Sequence, residues 1–236
     1  MARTALAILG AAALAATAHA AGSVRGAQKG APDVVAYSGG CTGKSWQFLM
    51  MVEQWSPTVC SDNYHCDNAQ DQYFTLHGLW PNNYDGSYPC TCTNDQFNLT
   101  TVKPLVPQLL KYWPSYKCND NDDNGYCDSS FWAHEYEKHG TCALGAPGIS
   151  DQYQYFETTL SLRNKYGIYP SDYDGHYLDD IKNAVKAYNG GSPSVWCDND
   201  NNISSFITCY DSQLQPTDCP SNDKCSGDKV YMPTHA

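Results

Sequence analysis

Phe131-Trp132-Ala133-His134-Glu135-Tyr136-Glu137-Lys138-His139-Gly140-Thr141-Cys142 is the stretch whose reading sets both the architecture and the chemistry of this 236-residue chain. Ser129 or Ser130 can cap a helix over Phe131 to His139, with Gly140 as its stop signal. Residues three and four apart are neighbours on a helix, so Glu135 lies beside both Lys138 and His139, and His134 lies beside Lys138. His139 falls in the last turn, where the helix dipole favours its protonated form, and Glu135 acts in the same sense through its charge. Glu/Lys pairs at this spacing are ordinary surface features. Two histidines within six residues, on a helix tied down by Cys142, point instead to a site. A zinc-protease helix needs His-Glu-x-x-His, with imidazoles at i and i+4. Here the second imidazole comes one residue later and the i+4 position is the cation Lys138, so no metal is expected.

Upstream, Phe74-Thr75-Leu76-His77-Gly78-Leu79-Trp80-Pro81 belongs to a strand candidate from Tyr73 to Trp80, stopped by Pro81 and the turn-rich Asn82-Asn83-Tyr84-Asp85-Gly86. Alternation puts Phe74 and Leu76 on one face and Thr75 and His77 on the other, so His77 can face a cleft. Phe48 to Trp55 is a second, apolar strand. Thr100 to Trp113 reads as two short helices around Pro104 and Pro107. Ser150 to Tyr166 and Leu178 to Tyr188 read as two more, and Cys197 to the C-terminus as cysteine-punctuated loop with short strands. Strands and helices do not alternate in a βαβ rhythm. The expected class is therefore α+β, with helices against a central antiparallel β-sheet.

The start of the chain has another character. Arg3 leads into an apolar run that ends Ala18-His19-Ala20, the pattern of a signal peptide over residues 1–20. Residues 21–40 read as a flexible leader or pro-segment, and 41–236 as one domain. All 12 cysteines follow the leader, at 41, 60, 66, 90, 92, 118, 127, 142, 197, 209, 219 and 225. An even set of this kind implies up to six disulfides made in an oxidising compartment, which leaves no thiol as a nucleophile. Asn98-Leu99-Thr100 and Asn202-Ile203-Ser204 are glycan acceptor sequons of the same route. The expectation is a secreted monomer, with a vacuole or lysosome-like compartment as the alternative, and no stable membrane association. The net charge of −11 excludes a protein that coats duplex phosphates. It leaves room for single-stranded RNA held by a few cations and stacking rings, for which 18 Tyr and 6 Trp are available.

His77-Gly78-Leu79-Trp80-Pro81 and Phe131-Trp132-x-His134-Glu135-x-x-Lys138-His139-Gly140-Thr141-Cys142 together resemble the two active-site segments of the ribonuclease T2 family. Gln54-Trp55-x-Pro57 before Cys60, and Tyr112-Trp113-Pro114-Ser115 before Cys118, are similar to further landmarks of that family. The likeness runs from about residue 41 to 230 and is strongest between 48 and 142. It implies a disulfide-stapled, metal-independent endoribonuclease that needs no cofactor, in which His77 and His139 are the acid–base pair. Glu135 and Lys138 would stabilise the transition state and His134 would hold the phosphate. For base binding the resemblance implies Trp80 and Tyr88 on one side and Phe131 on the other. Asn82 stands where many members carry Asp. An ionised Asp only accepts hydrogen bonds whereas Asn also donates, so no adenine preference carries over. The resemblance also implies Cys41 paired with Cys90, and Cys118 or Cys127 with Cys142. A secreted glycoprotein that only binds is the rival reading; the presence of both histidines favours the enzyme.

Overall fold

The computed structural model describes residues 41–60, 66, 69, 71–118, 124–168 and 175–234. The expected signal peptide and leader lie outside them. In chain order the elements are β1 (Phe48–Gln54), α1 (Ser56–Val59), β2 (Thr75–Asn82), α2 (Leu99–Val102), a 3-10 turn (Lys103–Leu105), α3 (Val106–Tyr112), α4 (Ser129–Glu135), a π-helical turn (Tyr136–Gly140), α5 (Thr141–Ala143), α6 (Gln152–Tyr166), β3 (His176–Tyr177), α7 (Leu178–Asn189), β4 (Ser194–Cys197), β5 (Ile203–Tyr210), β6 (Pro216–Thr217) and β7 (Lys229–Val230). The main sheet is antiparallel in the order β2-β1-β5-β4, with β6 on β5, and β3 pairs with β7 separately. This is the expected α+β class.

Every residue of β1 and β5 is buried, because both faces of the sheet are covered. Leu49 and Met51 pack on one face with Leu79, Leu109, Trp132 and Phe156. Further along that face, Phe206 packs with Trp55, Phe74, Ile181 and Val195. Phe48, Met50 and Val52 point the other way, against Trp196, Ile207 and Cys209. A strand covered on both sides reads as a continuous apolar run, as β1 does. In β5 this rule conceals the strand. Ser204, Ser205 and Thr208 break the apolar run, and all three are buried; Ser204 Oγ donates to the Trp196 carbonyl and Thr208 Oγ1 pairs with Tyr210 Oη. The reading of residues after Cys197 as loop with short strands is therefore corrected: β5 is an eight-residue central strand.

Pro81 does not stop β2, which runs on to Asn82. β2 is an edge strand, where a residue without an N–H is tolerated. Its outer backbone is covered by ring donors: Trp113 Nε1 donates to the His77 carbonyl at 2.8 Å, and Tyr155 Oη to that of Leu79 at 3.1 Å. Along the strand Gly78 pairs with Val52 and Leu76 with Glu53, so His77 is the extra residue of a β-bulge.

The central motif also departs from a simple helix. Ser129 and Ser130 donate their hydroxyls back to the carbonyls of Tyr126 and Cys127, so neither caps the helix, which begins at Ser129. Gly140 is not its end either. It has helical torsions and leads into α5. A Cβ there would lie 2.7 Å from Tyr136 and 3.0 Å from Tyr155, so this glycine serves close packing.

All 12 cysteines are paired: Cys41–Cys90, Cys60–Cys66, Cys92–Cys142, Cys118–Cys127, Cys197–Cys225 and Cys209–Cys219. The expected Cys41–Cys90 bridge is present. Cys142 instead takes Cys92, and Cys118 and Cys127 close on each other.

Candidate active site

Bulges re-aim side chains, and the one in β2 turns His77 toward the motif helix. His77 is 20 % exposed, with its Nε2 3.5 Å from Glu135 Oε1. Its ring meets Trp80 and Phe131 edge-on, at centroid distances of 5.1 and 5.4 Å. Glu135 is 1 % exposed, and its other oxygen, Oε2, accepts a 2.7 Å hydrogen bond from Trp80 Nε1. Gly78 makes this approach possible, since a Cβ there would collide with both Glu135 Oε2 and Trp80 Nε1.

His139 is 6 % exposed and stacks on Trp80, with centroids 5.0 Å apart and planes at 28°; Tyr88 lies beyond it at 6.5 Å. Trp80 thus touches all three groups of the proposed acid–base centre. Trp80 and Asn82 are almost fully buried, and the Asn82 amide donates to the Trp80 carbonyl. Tyr88 and Phe131 are half-buried, and His134 is exposed at the mouth.

The π-helical turn adds a residue per turn and so returns an i, i+5 pair to one side. His134 and His139 lie 6.4 Å apart, and donor atoms of His134, Glu135 and His139 fall within 4.8 Å of one another. An i, i+5 pair is separated only on a regular α-helix; the π-helical turn over Tyr136–Gly140 brings the two imidazoles together, contrary to the expectation from spacing. The three residues could hold a divalent ion. Such an ion would take a lone pair from each of them, with the cation Lys138 beside it.

The electrostatics divide the roles. Burial would raise Glu135, but His77, then His139 and His134, outweigh it and hold its carboxyl at about 2. Burial pushes His139 down to about 3, against the opposing pull of Glu135. The last-turn expectation of a protonated His139 is therefore corrected: the helix continues past it, and desolvation wins. His134 is lowered too, by desolvation first, with Lys138 and His77 adding and Glu135 opposing.

A loop from Tyr88 to Phe97 closes the site. Thr91 N donates to the Lys138 carbonyl at 2.8 Å and Cys92 N to Thr141 Oγ1 at 3.0 Å. Of the two sequons, Asn98 is exposed and caps α2 by accepting from Thr100 N at 2.9 Å. Asn202 is half-buried, its amide donates to Asp198 at 2.8 Å, and Ser204 is 1 % exposed. Sequence reading found the ionisable residues but missed the Trp80–Glu135 hydrogen bond; the glycine directly after His77 was the available signal for a close approach.

Residues 46–219 match the model of the Ribonuclease T2 family. The chain belongs to the ribonuclease T2 family. It is 34% identical to ribonuclease DdI of Dictyostelium discoideum over 201 residues, 80% of this chain and 86% of that one. It is 32% identical to extracellular ribonuclease LE of Solanum lycopersicum, over 81% of this chain and 88% of the relative. Among solved structures, RNase NT in complex with 5′-AMP superposes with a TM-score of 0.67 at 27% identity, covering 81% of this chain and all of the other. The protein is a T2-type endoribonuclease of α+β fold with six disulfides.

Proposed function

We propose that this T2-family protein cleaves single-stranded RNA by metal-independent transesterification, with His139 as the base and His77 as the acid. The observation that carries the reading is the Glu135-centred cluster. One carboxylate faces His77 through one oxygen and is held by Trp80 through the other, while His139 is kept neutral by burial. A neutral imidazole can take the proton of the ribose 2′-OH, which then attacks the adjacent phosphorus. His77 delivers a proton to the departing 5′-oxygen. Lys138 stabilises the negative charge of the phosphorane-like transition state, Glu135 supports it through the protonated imidazole that it faces, and His134 holds the phosphate. RNA supplies its own nucleophile, so DNA is inert. The product is a 2′,3′-cyclic phosphate, hydrolysed more slowly to a 3′-phosphate.

Tyr88 and Phe131 offer partly open rings to the two bases, with Trp80 and Asn82 forming the wall behind. Stacking of this kind tolerates any base, which gives low base specificity. The nucleotide bound by RNase NT supports a nucleotide-sized site in the shared fold. No described helix is long and apolar enough to cross a membrane. The expected signal peptide supports secretion, and the exposure of Asn98 against the half-buried Asn202 supports a glycan on Asn98 rather than on Asn202.

The test is cleavage of a defined single-stranded RNA near pH 5 in excess EDTA, by the wild type and by His77→Ala and His139→Ala. Cyclic-phosphate ends from the wild type and losses of several orders of magnitude in both variants are expected. No cleavage by folded, oxidised wild type would put the binding-only reading first.

A further inference from the structure

Beside the Glu135 cluster lies a recess of about 270 Å³ that the proposed chemistry does not use. Thr91, Thr93, Asp95 and Gln96 of the closing loop form one wall, and His134, Glu137 and Lys138 form the other. The recess therefore shares its rim, His134 and Lys138, with the residues proposed to hold the scissile phosphate.

Both walls are tied together at both ends. Thr91 stands between Cys90, bridged to Cys41, and Cys92, bridged to Cys142. Its φ is +48°, a conformation that a β-branched residue adopts only when its surroundings impose it. At the far end Tyr136 Oη donates to Asp95, and Phe97 N donates to Glu137 Oε1 at 3.1 Å. The cleft is preformed, so a ligand entering it has no loop to order.

Its chemistry is divided. The rim is cationic. The exposed loop wall and the half-buried Glu137 offer two carboxylates, two threonine hydroxyls and one amide. A phosphate is repelled by Asp95 and Glu137 but accepted at Lys138. Sugar hydroxyls and base N–H groups are good donors to those carboxylates.

We propose that this recess is a further nucleoside subsite, taking a nucleotide of the RNA beyond the two that flank the cleaved bond. Its sugar and base N–H groups donate to Asp95 and Glu137, and the RNA enters it over the Lys138 and His134 rim, where the scissile phosphate is held. The inference rests on the proposed catalytic reading.

The test compares kcat/KM for a dinucleoside monophosphate with that for trinucleotides extended by one nucleotide at the 5′ or the 3′ end. The proteins are the wild type, Asp95→Asn and Thr93→Ala. Extension at one end is expected to raise wild-type kcat/KM about tenfold or more, the worth of one hydrogen bond to a charged acceptor. Asp95→Asn retains an acceptor for Tyr136, so its dinucleotide cleavage is expected to match wild type while the gain from extension falls severalfold; Thr93→Ala reduces it in the same way. Dinucleotide cleavage with no gain from either extension, or a gain untouched by both variants, overturns the subsite alone. Absence of dinucleotide cleavage by the wild type, with no cleavage of longer RNA, overturns the catalytic reading beneath it.

Discussion

Replacing Trp80 by phenylalanine keeps an aromatic ring beside His139 and removes one N–H. That N–H donates to Glu135 Oε2 at 2.7 Å, and both partners are buried, at 7 % and 1 % exposed. Hydrogen bonds to charged groups contribute about 1.5–3 kcal/mol, and here the loss leaves a buried carboxylate oxygen without its donor. At 1.36 kcal/mol per pKa unit, this moves Glu135 up from about 2 by roughly 1 to 2 pH units. Only the part of this loss realised in the transition state lowers kcat, by at most about 150-fold.

The assay is steady-state cleavage of a dinucleoside monophosphate from pH 2.5 to 7, with thermal unfolding as a control for folding. Trp80→Phe is expected to lower kcat, leave KM within about threefold, and shift the acid limb toward higher pH. In a double-mutant cycle, Glu135→Gln and Trp80→Phe are expected to be less than additive, because each removes part of one interaction. A variant with the wild-type acid limb and kcat, changed only in KM, would reduce Trp80 to a stacking platform and refute this reasoning.

Further predictions follow from neighbouring groups. As the base, His139 must be neutral, so kcat/KM is expected to hold as pH falls until His139 protonates at about 3, and to drop below that; an acid limb near the ordinary imidazole value in the pH profile of the free enzyme contradicts this. Gly78→Ala forces a methyl against Glu135 Oε2 and Trp80 Nε1, so activity is expected to fall at least tenfold, at a stability cost of about 1–3 kcal/mol; near-normal kcat in the folded variant argues against the close approach. Burial raises Glu53 from 4.5 to about 7, against the Ile168 N–H and Arg163. A raised folded value means that its stabilising contribution is complete below about pH 4.5 and lost as pH climbs through 7. Glu53→Gln is therefore expected to gain on wild type by up to roughly 3 kcal/mol between those pH values, and urea melts at pH 4.5 and 7.5 with the same difference would exclude it.

Much of the site is legible in local sequence, because helix spacing and residue chemistry are short-range properties. Glu135, Lys138 and His139 are neighbours by helical spacing, and the alternation of Phe74, Thr75 and Leu76 marks the start of β2 whatever it pairs with. The even set of cysteines fixes a disulfide framework but not its pairing, which depends on which loops the fold brings within bridging distance. Thus Cys142 meets Cys92 on the closing loop, while Cys118 and Cys127 are left to each other.

The sequence by itself determined the α+β class, the ionisable residues and their order along two segments. Only the tertiary structure decided how they meet. The bulge at His77 exists because β2 and β1 fall out of step between Val52 and Glu53, a property of the pair of strands. The central place of β5 depends on cover from both sides, which conceals its serines and threonine from any alternation pattern. The neutral state of His139 follows from burial beneath Trp80, and desolvation is set by what the rest of the chain lays over a residue rather than by its neighbours in sequence.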